Sequence, residues 1–209
     1  MAGMAEAMHV RRTQAQRRAT TRQRVLDAAT GLVATQGVRA VSLAAVGEAA
    51  GYSRGIVNHH FGTKVGLLKA LIEHVAQFEA PADAPTGLGR LLQFVQAYLG
   101  GMRERSPRSE AFLLLWAESA GMEPSLAPLF AERDAWFQGA LAQQIREGVL
   151  DGSIRGDVHP EVAALAIIGQ LRGTAMLAFA SARDVPASEL TAEVVRLVEH
   201  GLGRIPSQR

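Results

Sequence analysis

The sequence predicts an all-α fold in which three short helices precede a longer helical body. Three observations carry that expectation. Apolar residues recur at helical spacing almost throughout, no segment alternates apolar and polar residues as a half-buried strand would, and Gly, Pro, Ser and Thr fall where helices start and stop. With 48% hydrophobic and 20% charged residues over 209 positions, the chain has the composition of a globular protein. Arg and Glu interrupt the apolar stretches before they reach the roughly 18 uncharged residues of a membrane span, so no membrane partner is expected. The first residues hold no apolar run of the secretory kind, and a cytoplasmic location is expected. The absence of cysteine excludes disulfides, thiolate metal sites and a cysteine nucleophile.

Residues 1–19 lack apolar periodicity and carry Arg11, Arg12, Arg17 and Arg18, which predicts a flexible basic arm. Thr20 or Thr21 caps a first helix through Val25, Leu26, Ala28, Ala29, Leu32 and Val33, stopped by Gly37. Ser42 caps a second, over 43–50, which Gly51 ends. Ser53 caps a third, over 54–61, which Gly62 closes. Thr63 then opens a longer linker helix to about Phe78, and the Pro- and Gly-rich stretch 80–89 is a loop. Further helices are expected over 88–105, from Pro107 through Trp116, over 126–147, from Pro160 through Phe179, and over 187–202, with a turn-rich connection at 148–156. The expected organisation is an arm at 1–19, a three-helix unit at 20–66 with the linker helix at 63–78, and a helical body at 79–209.

Net charge divides along the same line. Residues 11–69 carry ten Lys and Arg against two acids, whereas residues 70–209 carry twelve against seventeen. A basic head on an acidic body points to a polyanionic partner, because Lys and Arg displace condensed counterions from phosphate backbones. The second and third helices, joined by a tight turn at Gly51, have the layout of a helix-turn-helix, whose second helix enters the major groove of double-stranded DNA.

The residues of this segment resemble the TetR family of bacterial regulators. The resemblance runs through Ala28, Ala29, Gly37, Ser42, Leu43, Ala49, Ala50 and Gly51, is strongest in the continuous stretch Ser53 to Lys64, and continues to Leu67 and Leu68. It covers about the first third of the chain and implies a DNA-binding head on a helical effector-binding and dimerisation domain. The implied activity is that of a repressor released from operator DNA by a small apolar or amphipathic molecule. Ser42 and Thr63 stand at helix N-termini that suit phosphate oxygens, and Lys64 resembles the family's phosphate-contacting lysine. Ser53, Arg54 and Gly55 open the groove-reading helix; Arg54 suits bidentate bonding to a guanine, with a phosphate as the competing partner. Asn58 stands where the family usually has tyrosine and retains the capacity to bond phosphate or adenine. His59 and His60 suit DNA contacts and are too poorly spaced for a shared metal. Arg17, Arg18, Arg22 and Arg24 reach a minor groove or clamp phosphates.

The resemblance also implies a homodimer built on the last two helices. Leu165, Ile168, Gly169 and Arg172 in one, and Leu190, Val194 and Leu197 in the other, are the expected interface. Effector contacts are sought among the body's aromatic and sulfur side chains, Phe94, Tyr98, Met102, Phe112, Trp116, Phe137 and Met176, with His74, Glu118 and Gln170 as polar groups. The competing reading of every aromatic is ordinary core. No Gly-rich phosphate loop, nucleophile elbow or metal-spaced cluster is present, so neither catalysis, metal nor cofactor is expected. Two other readings are a DNA-binding regulator without a pocket and a helical interaction module that does not bind DNA.

Overall fold

The computed structural model describes residues 13–103, 106–121, 123–180 and 185–204; Arg11 and Arg12 of the expected arm lie outside them. Among the described residues nine α-helices follow one another: α1 (Gln14–Gln36), α2 (Leu43–Ala50), α3 (Arg54–Phe61), α4 (Lys64–Val75), α5 (Gly87–Arg103), α6 (Pro107–Ser119), α7 (Leu126–Asp151), α8 (Pro160–Ala180) and α9 (Ala187–Leu202). The all-α expectation holds. The one bridge of strand type among them is the isolated antiparallel pair Ile154–Gly203, which ties the α7–α8 connection to the end of α9.

Residues 14–19 are not an irregular arm. They form the first turns of α1, which starts at a capping box: the Thr13 hydroxyl accepts the Gln16 N–H at 3.2 Å while the Thr13 N–H donates to Gln16 Oε1 at 2.8 Å. These turns have no buried face, so apolar periodicity could not reveal them. α4 stops at Val75 rather than Phe78, because Ala76 turns out of the helix and two arginines take its last carbonyls. α7 runs past Glu147 to Asp151 and closes on Gly152.

The core divides differently from the sequence. One cluster joins α1–α4 to α6 and the first turns of α7, with Val25, Leu26, Leu67, Leu68, Leu71, Leu115 and Leu126 fully enclosed. The second joins α5, the rest of α7, α8 and α9 around Leu91, Val95, Leu141, Ile145 and Leu171. α1 and α4 therefore rest directly on α6, and α4 also meets α7. That contact gives the body a mechanical hold on the head.

α8 is long and apolar enough to cross a membrane by length and composition, with Arg172 in its interior. A third of its most apolar window is buried. Val162, Leu165 and Leu177 are more than half exposed and form an apolar stripe at helical spacing along it.

Candidate nucleic-acid interface and effector site

α2 and α3 meet through the turn at Gly51, whose φ of 73° is left-handed. The Tyr52 N–H donates to the Gly47 carbonyl at 2.8 Å and the Gly51 N–H to Glu48 at 3.1 Å, the paired closure that satisfies the last carbonyls of α2. The three helix starts are capped as expected. Ser42, Ser53 and Thr63 hydroxyls accept the N–H groups of Ala45, Ile56 and Gly66 at 3.1, 3.4 and 3.1 Å.

α3 is held by one fully buried residue, Val57, with Phe61 and His60 half-buried behind it. Ser53, Arg54, Gly55, Asn58 and His59 are all exposed. The helix thus offers a polar face anchored from behind, the arrangement a groove-reading helix requires. Arg22 of α1 lies over the Phe61 ring at 5.7 Å, and Tyr52 packs against the same core beside Thr21 and Arg24. Burial, then the charges of Arg18, His59 and Arg22, hold the His60 pKa below its ordinary value.

Lys64, half-buried at the start of α4, donates to Glu123 Oε2 at 2.7 Å, and Ser125 donates to the other carboxylate oxygen at 2.6 Å. Those two bonds, Lys64 first, hold the Glu123 pKa below the usual carboxylate value. A body carboxylate thus occupies the ammonium assigned to phosphate. Nothing in the sequence signals this pairing, because Glu123 lies between the helices expected at Pro107 through Trp116 and at 126–147.

Gly66 was also missed. A Cβ there would lie 2.2 Å from the Phe61 carbonyl oxygen, so the α3–α4 corner closes only over a bare backbone. Gly66→Ala is expected to destabilise the head by roughly 1–3 kcal/mol through overpacking against that backbone. A denaturant titration would show it as a lowered midpoint. The available signal was a glycine inside a helical pattern, which often marks a close approach.

The expected effector residues divide into several groups. Phe94, Tyr98 and Phe137 form one ring cluster with Phe78, with centroids 5.2 to 6.4 Å apart. Phe112 and Trp116 lie under the Arg172 guanidinium at 6.0 and 5.3 Å. His74 faces Asp27 of α1 at 3.2 Å and so ties α4 to α1, while Glu118 of α6 faces Arg39 at 3.9 Å and joins the body to the head. Met176 packs on the first core cluster and Gln170 is half-buried. A cavity of about 350 Å3 opens between α5, α6, α8 and α9; Met102 lines it together with Leu190, which was expected at the interface.

Three other interface expectations are corrected. Ile168, Val194 and Arg172 are interior to the protomer, the first two in the apolar core and Arg172, 4% exposed, forked onto Asp134 of α7. A helix with apolar residues on several sides does not announce in sequence which side faces its own bundle. Leu165 and Leu197, at 59% and 55% exposure, and Gly169 remain on the outer face.

Comparison with known proteins gives a consistent result. Residues 25–71 match the model of bacterial regulatory proteins of the tetR family, and residues 88–203 match that of the BetI-type transcriptional repressor, C-terminal. The HTH-type transcriptional regulator BetI of Burkholderia thailandensis is 34% identical over 117 residues, 52% of this chain and 58% of that protein. The alignment therefore spans little more than half the length of this relative. A TetR transcriptional regulator from Chloroflexus aurantiacus shares the fold at a TM-score of 0.75 and 20% identity, covering 90% of this chain and 99% of that one. A transcriptional regulator from Saccharomonospora viridis, solved in complex with choline, does so at 0.71 and 21%, covering 90% and 100%.

Proposed function

Since the chain belongs to the TetR family of bacterial regulators and carries a BetI-type C-terminal part, we propose that it is a homodimeric repressor that binds operator DNA through α3 and leaves it when a small effector enters the body. The observation that carries the DNA reading is the exposure of Ser53, Arg54, Asn58 and His59 on a helix fixed by one buried valine. Arg54 reads a base edge, Lys64 and the caps at Ser42 and Thr63 set the register on phosphates, and Arg17, Arg18, Arg22 and Arg24, on the exposed start of α1, extend the basic surface. Selection from a random duplex pool is expected to return a sequence with two related half-sites about one helical turn apart, one for each α3 of the dimer. Recovery of no preferred sequence would refute the reading.

The apolar stripe of α8 and exposed Leu197 of α9 support the dimer, since such a face is commonly covered by a partner. Leu165→Glu with Leu197→Glu is expected to yield a monomer by analytical ultracentrifugation and to lower DNA affinity at least tenfold. Persistence of the dimer would place the interface elsewhere. The cavity between α5, α6, α8 and α9 supports effector binding, as does the choline held by the Saccharomonospora viridis regulator. A cytoplasmic site of action follows from DNA as the partner.

A further inference from the structure

We propose that the effector carries a negative charge, as a carboxylate-bearing amphipath, and that Arg133 binds it at the expense of its own bond to the end of α4. The inference rests on the ligand-responsive reading above and adds the chemical class of the ligand and the contact that transmits its arrival.

Arg133 and Arg172 both lie against the Phe112 ring, at 5.8 and 6.0 Å. Asp134 takes the two terminal nitrogens of Arg172 and so neutralises one guanidinium. Arg133 has no such partner among the described residues. Its Nη2 donates to the Ala76 carbonyl at 3.0 Å, and Glu73 and Glu132, which line an outer groove together with Arg133, are not in ion-pair contact with it. Glu132 is turned to Lys69 at 3.7 Å. The interior group therefore holds two cations and one anion. Arg172 is enclosed and Arg133 half-buried, and a guanidinium partly withdrawn from water without a carboxylate favours an anion.

The same place lacks acceptors. Arg133 Nε and Arg172 Nε are enclosed and have no hydrogen-bond partner in the protein, and the enclosed Tyr98 hydroxyl, which meets Arg172, finds no acceptor for its proton. Tyr98 is 5% exposed and Arg172 4%. Burial raises the Tyr98 pKa, with the nearby charge of Arg172 opposing it, so the hydroxyl stays a neutral donor beside two cations. Three donors and a surplus positive charge fit a carboxylate, whose two oxygens accept several hydrogen bonds. A quaternary ammonium such as choline would add a third cation and bring only one hydroxyl oxygen as acceptor for these N–H groups.

Room for the apolar part lies about one turn along the same helices: Met102 after Tyr98 in α5, Ser109 before Phe112 in α6, Ala175 after Arg172 in α8 all line the 350 Å3 cavity. A carboxylate held at Tyr98, Arg133 and Arg172 with its chain directed there would bury both ends. The consequence for DNA follows from Ala76. Its carbonyl lies at the C-terminal end of α4, where unsatisfied carbonyls favour a cation, and α4 begins three residues after the last residue of α3. A carboxylate is a stronger partner for a guanidinium than a neutral carbonyl, so its arrival draws Arg133 off α4. Arg108, which holds the carbonyls of His74, Val75 and Gln77, remains as the pivot.

The test uses octanoate, octyltrimethylammonium and choline as probes, with calorimetry on the DNA-free protein and anisotropy on a selected duplex. Octanoate is expected to bind saturably and to weaken DNA binding at least tenfold. Arg133→Met should lower octanoate affinity at least tenfold and abolish the preference over octyltrimethylammonium, Arg133→Lys should retain that preference, and Tyr98→Phe, which removes only the hydroxyl, should cost several-fold. Failure of octanoate to bind the wild type, tighter binding of either cation, or octanoate affinity unchanged in both Arg133→Met and Tyr98→Phe would overturn the inference. Release from DNA by choline alone would overturn it while leaving the regulator reading standing. Octanoate binding that depends on Arg133 in a protein that selects no duplex would do the reverse.

Discussion

Replacing Arg54 and Lys64 together by alanine is expected to weaken binding to a selected duplex at least a hundredfold while leaving the helical content unchanged and lowering the melting temperature only by the small cost of the lost Lys64–Glu123 pair. Arg54 is exposed on the first turn of α3, where a bidentate contact to guanine is worth about 1–3 kcal/mol of discrimination. In the proposed complex Lys64 would add a phosphate contact that releases counterions, and in a dimer each loss would occur twice. The two residues should separate by their salt dependence. Lys64→Ala flattens the dependence of affinity on salt, whereas Arg54→Ala on its own chiefly relaxes sequence preference. Glu123→Gln should act in the opposite direction. With its carboxylate gone, Lys64 is free for phosphate, affinity rises several-fold and the salt dependence steepens. Loss of that gain in a Lys64→Ala background would show that Glu123 acts through the lysine. Anisotropy titrations at two salt concentrations read all of these outcomes, and unchanged affinity in the double alanine variant would contradict the assigned contacts.

Arg172→Met is the substitution expected to cost most in stability. The guanidinium is enclosed between the Asp134 carboxylate and the faces of Phe112 and Trp116, so its removal leaves a carboxylate without its partner beside two exposed ring faces. Breaking a buried ion pair from one side costs about 3–5 kcal/mol. Asp134 is one-third exposed, and solvent reduces the figure to about 2–3 kcal/mol. For a protein of this size that corresponds to a melting temperature lower by roughly 4–12 °C at fixed protein concentration. Removing both partners with Asp134→Leu should recover much of the loss, because no unpaired charge remains. Equal stability of the single variant and the wild type would show that the pair contributes nothing net.

The head was legible because its signals are local. Ser42, Ser53 and Thr63 are caps, and Gly51 is a left-handed turn; each function depends on the residue itself and the next few. The start of α1 is equally local yet illegible by apolar spacing, because its capping box at Thr13 and Gln16 precedes a stretch with no buried side. The body was legible as helices but not as surfaces. Ile168 and Leu165 lie three residues apart in one apolar helix, and only packing shows that the first is enclosed and the second outside. The polar contacts that join head to body were out of reach for another reason. Lys64 meets Glu123 across 59 positions and Arg133 meets Ala76 across 57, and no local pattern encodes such a pairing.

The most direct test of the central claim is a competition between the duplex recovered by selection and a shuffled duplex of the same length and composition, measured on the wild-type chain at physiological salt. A preference of at least a thousandfold for the selected sequence is expected, in the range of specific over non-specific binding. Equal affinity for the two would contradict it.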